Sequence, residues 1–135
     1  IAMFVVYEAP LQMMCESPSI YIREQECTYF IAQIPTTWDE TRVLHAKVGD
    51  YLVLARRKGN DWFIAGMTDW TPRKFEVSLD FLNGNYEAEI IADGENADRF
   101  AQDYRLSKSK LTSDETLNIE MKSGGGFVAV LRQVR

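Results

Sequence analysis

Near Pro35 the hydrophobic pattern of this chain changes its period. Before that point Met3, Phe4, Tyr7, Leu11 and Met14 recur at spacings of three and four, as one face of a helix requires. Pro10 has no amide hydrogen and is expected to kink or split that helix. Ser17-Pro18 reads as a second start, with Ser17 as N-cap and Pro18 in the first helical position, where a missing N–H costs nothing. Ile20, Cys27, Phe30, Ile31 and Ile34 continue an apolar face, and Pro35 stops it.

From Thr36 the period is two and the residues favour strands. Strands are expected at 38–47, 51–57, 62–68, 74–79, 86–92, 116–121 and 127–134. The clearest is the run in which Phe75, Val77 and Leu79 alternate with Lys74, Glu76 and Ser78. Val48-Gly49-Asp50, Lys58-Gly59-Asn60-Asp61, Asn83-Gly84-Asn85 and Ser123-Gly124-Gly125-Gly126 supply turns, and Asp69-Trp70-Thr71-Pro72 a loop. The connections are too short for the crossovers that parallel strands need. The expected fold is therefore mainly β: an antiparallel β-sandwich of seven to eight strands preceded by a short helical segment, divided into residues 1–34 and 35–135.

A chain of 135 residues makes one ordinary domain. Its formal net charge of −5 repels phosphate, which argues against nucleic acid as a partner. No run reaches the roughly 18 apolar residues that span a bilayer, so no membrane partner is expected. The apolar start has no basic flank and no cleavage site, which makes it a poor signal peptide. It also lacks an initiating Met, so further residues are expected upstream, and self-association through the face they would cover. Cys15 and Cys27 form no metal or redox motif and are expected to be small buried thiols, a disulfide between neighbouring helices being the alternative.

The chain carries few motifs of known chemistry. There is no P-loop, dinucleotide fingerprint, nucleophile elbow or His-Glu-x-x-His motif. His45 is the only histidine and falls in a strand. Asp39 and Glu40 are adjacent carboxylates beside Trp38, but neighbours in a strand point to opposite faces and cannot flank one glycosidic bond. Asp93-Gly94-Glu95-Asn96-Ala97-Asp98 is rich in oxygen ligands without the spacing of a calcium loop, so turn chemistry explains it. No residue is assigned a catalytic or metal-binding role. Trp70, Trp62 and Tyr51 are the candidates for a platform on which sugar rings could stack, Trp70 being the most exposed by its place in a loop.

Several motifs keep a recognisable order. They are Pro10-Leu11-Gln12-Met13, Phe30-Ile31, Pro35-Thr36-Thr37-Trp38-Asp39-Glu40-Thr41, Gly49-Asp50-Tyr51, Ala55-Arg56-Arg57-Lys58-Gly59, Asp61-Trp62-Phe63-Ile64-Ala65-Gly66-Met67-Thr68, Asp93-Gly94, Asn96-Ala97-Asp98-Arg99 and Gly124-Gly125-Gly126-Phe127. In this order they resemble the C-terminal region of family 97 glycoside hydrolases, a family of α-glucosidases and α-galactosidases. The resemblance implies that residues 1–34 are the last helical part of a (β/α)8 barrel and that the rest is a C-terminal sandwich. It further implies that the catalytic carboxylates and calcium lie upstream in that barrel, with no cofactor held here, and that the parent is periplasmic or secreted. The function it implies is a non-catalytic accessory domain that stabilises the barrel, with the rest of the polypeptide as partner. Met3, Phe4, Val5, Met13 and Trp38 would carry the inter-domain packing. A carbohydrate-binding module, with an oligosaccharide as partner, is the alternative.

Overall fold

The computed structural model describes residues 1–9 and 12–134. Three short helices, α1 (Met3–Val6), α2 (Pro18–Arg23) and α3 (Gln25–Ala32), precede eight strands. The strands are β1 (Glu40–Lys47), β2 (Tyr51–Lys58), β3 (Asp61–Thr68), β4 (Arg73–Ser78), β5 (Asn85–Asp93), β6 (Tyr104–Leu111), β7 (Thr116–Met121) and β8 (Gly126–Val134). All pair antiparallel, in a six-stranded sheet of order β1-β2-β3-β8-β5-β6 and a two-stranded sheet β4-β7. No described helix is long and apolar enough to cross a membrane.

The helical segment differs from its expected form. One face running from Met3 to Met14 does not exist, because α1 ends at Val6 and Tyr7 is extended at φ −81°, ψ 141°. Met13 and Met14 lie outside any helix. Proline disfavours helical backbone in the residue before it, and a single turn is too short to persist without packing. Pro10 and Leu11 fall outside the described residues. Pro18 opens α2 as read, after an extended Ser17. The Ser17 hydroxyl, however, pairs with the Ser19 hydroxyl at 2.9 Å rather than with a backbone amide.

β6 has no counterpart among the expected strands. Its residues Arg105, Ser107, Lys108, Ser109 and Lys110 hide the alternation, as edge strands commonly do. The partner strand supplies the missing signal. Glu89 stands opposite Lys108, 3.2 Å away, and Glu87 opposite Lys110. The other edge, β1, carries a bulge between Val43 and His45.

The large sheet is covered on both sides. On one face Val53, Ala55, Ile64, Ala129 and Leu131 pack against Val77, Leu79, Ile119 and Met121, some of them from the small sheet. On the other, Leu54, Phe63, Ala65, Val128 and Val130 pack against Val5, Val6 and Phe30 from the helices. Residues 62–66 of β3 and 127–131 of β8 are therefore buried without interruption. Each such aliphatic or aromatic side chain contributes roughly 1.5–3 kcal/mol. The helices thus form a third layer of the same body.

Gly66 is required by this packing. A Cβ there would stand 2.5 Å from the Phe127 ring. Gly66→Ala is expected to cost about 1–3 kcal/mol through overpacking, measured by chemical denaturation.

Candidate functional site

Asp39, Glu40 and His45, the acid–base candidates of the sequence, do not converge on one point. Asp39 lies just before β1, where its carboxylate accepts the Gly59 N–H at 2.7 Å and Lys58 Nζ at 3.2 Å. The Gly59 amide, and then Lys58, hold its pKa below the ordinary value. Glu40 accepts Arg42 at 2.6 Å and Arg57 at 3.1 Å, and these two hold its pKa down as well. Both groups are kept ionised, which suits a cap and a salt link rather than a general acid. His45 stacks on Phe75 with ring centroids 5.1 Å apart and puts Nε2 3.3 Å from the Glu76 carbonyl. Five strand positions separate it from Glu40, roughly 17 Å at the rise of a β-strand.

The acidic loop after β5 is occupied by its own backbone. Asp93 accepts the amides of Lys122 at 2.8 Å and Gly126 at 3.0 Å. Asp103 accepts the Asn96 amide at 2.7 Å. A Cβ on Gly125 would fall 1.8 Å from Asp93, so glycine is needed for this approach. Among the described residues no three His, Cys, Asp or Glu side chains gather to hold a metal ion. Cys15 is exposed and Cys27 half-buried, and both are free. The expectation of two buried thiols therefore fails: Cys15 lies exposed in the irregular segment between α1 and α2, and Cys27 is only partly covered.

The three aromatic candidates do not form a platform. Trp62 is only 3% exposed, against Phe81 with ring centroids 4.7 Å apart, so it is core and is unavailable as a sugar contact. Its position near the start of β3, in strands buried on both faces, is the reason. Tyr51 lies at the far end of the sheet, paired with Thr68. Its ring leans on Phe75 at 5.0 Å, with the Arg73 guanidinium 4.9 Å away. Trp70 is 85% exposed.

The residues expected at a domain contact divide by face. Val5 is fully buried on the chain's own sheet and cannot pack outward. Phe4 and Trp38 are half-buried, Trp38 meeting Phe63 edge-on at 5.2 Å. Met3 and Met13 are exposed, together with Tyr7, Met14, Ile22 and Tyr29. Polar ties fix the helices beneath. Tyr104 donates to Glu26 at 2.6 Å, which raises the phenol pKa, and Gln33 donates to Glu89 at 3.1 Å.

Arg56 is the site residue that pattern reading passed over. It follows the apolar run Leu52-Val53-Leu54-Ala55, and its parity with Leu54 already puts it on the buried outer face. It is 4% exposed. Nη2 donates to the Val6 carbonyl at 3.1 Å, the open end of α1. The guanidinium lies 5.5 Å from the Trp38 ring centre, and Glu8 is 3.9 Å away. Nε, Nη1 and the Trp38 indole N–H meet no acceptor among the described residues. A buried charge so sparsely answered costs several kcal/mol. Arg56→Met should therefore stay within about 1 kcal/mol of the parent or exceed it, whereas Arg56→Ala, which also empties the space, should lose about 2–4 kcal/mol in chemical denaturation.

The loop that carries Trp70 is tightly held. Asp69 accepts Arg73 and the Thr71 amide, and these bonds bring its pKa from 3.8 down to about 2. A carboxylate with a lowered folded-state pKa stabilises fully above its ordinary value and loses that contribution as pH falls through the lowered one. The melting temperature should thus fall less for Asp69→Asn than for the parent as pH drops from 3.8 to about 2.

A sequence profile described as "Glycosyl-hydrolase 97 C-terminal, oligomerisation" matches residues 37–132. The chain belongs to the family 97 glycoside hydrolases, as their C-terminal region. A retaining alpha-galactosidase of Bacteroides thetaiotaomicron is 44% identical over 98% of this chain and 20% of its own length. A probable retaining alpha-galactosidase of Streptomyces bingchenggensis is 30% identical over 93% of this chain and 19% of its own. This family 97 chain thus spans about a fifth of the curated relatives it matches. A family 97 enzyme from Pseudoalteromonas sp. strain K8, solved with acarbose, superposes with a TM-score of 0.94 at 33% identity, over 99% of this chain and 22% of that one. A beta-arabinopyranosidase superposes with a TM-score of 0.80 at 26% identity, over 96% and 20%.

Proposed function

We propose that this chain is the non-catalytic C-terminal module of a longer glycoside hydrolase, and that it packs on the catalytic barrel and stabilises it. The observation that carries this is the apolar surface left over once both faces of the sheet are covered. Met3, Tyr7, Met13, Met14, Ile22 and Tyr29 stay exposed along the helical segment although Val5, Val6 and Phe30 beneath them are buried. Exposed apolar side chains so concentrated mark a contact surface. Relatives about five times as long supply the polypeptide that would cover it. We read residues 1–34 as the barrel's last helical part. Catalytic carboxylates, and calcium where the parent uses it, then lie upstream, in a protein exported to the periplasm or beyond. The names of the two curated relatives favour an α-galactoside as the parent's substrate, hydrolysed with retention. The same apolar surface, bare in the isolated chain, should drive it to self-associate.

The isolated chain should leave a nitrophenyl α-galactoside intact under conditions in which the full-length protein turns it over. Removal of residues 36–135 from the full-length protein should lower its melting temperature. Hydrolysis by the isolated chain that disappears in Asp39→Asn or Glu40→Gln would overturn this assignment. In sedimentation equilibrium the isolated chain should gain mass as its concentration rises.

A further inference from the structure

Five asparagines occur in the chain, and only Asn83 is followed by glycine. An asparagine carboxamide sits within ring-closing reach of the next residue's amide nitrogen, and a side chain on that next residue hinders the approach. Gly84 has none, and it turns the chain at φ +94° just before β5. A Cβ there would meet only Gln133 Nε2, at 3.7 Å, so the space about the Gly84 amide is open. That amide donates to no acceptor among the described residues. Asn83 is exposed, and only its main-chain carbonyl is bonded.

That one bond bears on reactivity. The Asn83 carbonyl accepts Gln133 Nε2 at 2.7 Å. When the Gly84 amide loses its proton, peptide resonance spreads the charge onto this carbonyl oxygen. Gln133 already donates to it, so the nucleophile is stabilised as it forms. Gln133 is itself fixed, opposite Tyr86 in the ladder and with its own amide donating to Asp61 at 3.2 Å. Asp93-Gly94 has the composition for the same ring closure and the opposite setting. The Asp93 carboxylate accepts the Lys122 and Gly126 amides, and the Gly94 amide donates to the Asp103 carbonyl at 2.8 Å.

We propose that Asn83 is a site of spontaneous covalent modification, at which the Gly84 nitrogen closes on the Asn83 side chain with Gln133 assisting. The bond from Gly84 N to Asn83 Cγ forms, and the Cγ–Nδ2 bond breaks. Ammonia leaves, carrying the proton that the Gly84 amide gave up. Water then opens the cyclic imide. Attack at Cγ gives aspartate, and attack at the main-chain carbonyl gives isoaspartate, in which the chain continues through the side-chain carboxyl. No oxidant or reductant is needed. Either product adds a carboxylate to a groove of about 250 Å³ that Arg42 and Arg57 also line, and these cations favour it. Isoaspartate also lengthens the main chain by a methylene just before Asn85, which stands opposite Val134, so the first pair of the β5–β8 ladder loosens.

Incubation of the full-length protein at mildly alkaline pH, followed by peptide mass spectrometry with fragmentation that separates aspartate from isoaspartate, reads each position. Asn83 should convert several-fold faster than Asn60, Asn85, Asn96 and Asn118, while Asp93 keeps its normal linkage. Gln133→Leu should slow the loss of Asn83 several-fold in the folded protein. Gln133→Glu, which keeps the length and loses the donor, should do the same. In urea, where the contact is gone, both variants and the parent should convert at one rate. Conversion of Asn83 no faster than of Asn85 in the folded protein would overturn the proposal. So would an unchanged rate in both Gln133 variants, a difference that persists in urea, or isomerisation at Asp93 that keeps pace with Asn83.

Discussion

Everything in this domain depends on the pairing of β3 with β8. Trp62 to Met67 lie opposite Leu131 to Gly126, and the stretch is buried above and below. One face of that pair gives the sandwich its core, and the other gives the helices a place to pack. Without it the two-stranded sheet has nothing to cover, since an isolated hairpin is marginal in water. Single-turn helices such as α1 would not hold their shape either. The pairing also forces the local exceptions. Gly66 must be glycine because Phe127 lies across it, and Trp62, one of the three aromatics read as a sugar platform, must be core.

Much of this was legible in the residues. The break at Pro35, the hairpin turns and the alternation in 74–79 placed seven of the eight strands and the antiparallel class. What escaped did so for physical reasons. β6 is an edge strand whose serines on one face and lysines on the other are both exposed, so its own sequence has no two-fold rhythm. Its register becomes visible only through charge complementarity with Glu87 and Glu89 on the neighbouring strand. The N-terminal helix failed because a pattern of period three to four promises a face but not a length. Pro10 intervenes, and Met13 and Met14 end up on irregular backbone.

Site residues were harder to read than strands. Parity along a strand gives the face but not what covers it. Arg56 shares the face of Leu54, and only the presence of α1 and Trp38 above that face turns an ordinary arginine into a buried one. Conversely, Asp39 and Glu40 look like a catalytic pair beside an aromatic. In the fold each is held by hairpin amides or arginines, and His45 lies well along the strand. Carboxylates that cap turns and carboxylates that cleave bonds have the same composition; their partners differ.

The strand order carries a consequence for biosynthesis. β8 is made last but stands third from one edge and fourth from the other, between strands that left the ribosome earlier. Until residues 126–134 emerge, β3 and β5 have no neighbour between them, and two apolar half-sheets must wait unclosed. Such long-range pairing folds slowly and leaves strand edges open meanwhile. A nascent chain therefore carries this module as an aggregation-prone intermediate until β8 has emerged, which makes residues 126–134 the step at which chaperones have most to do.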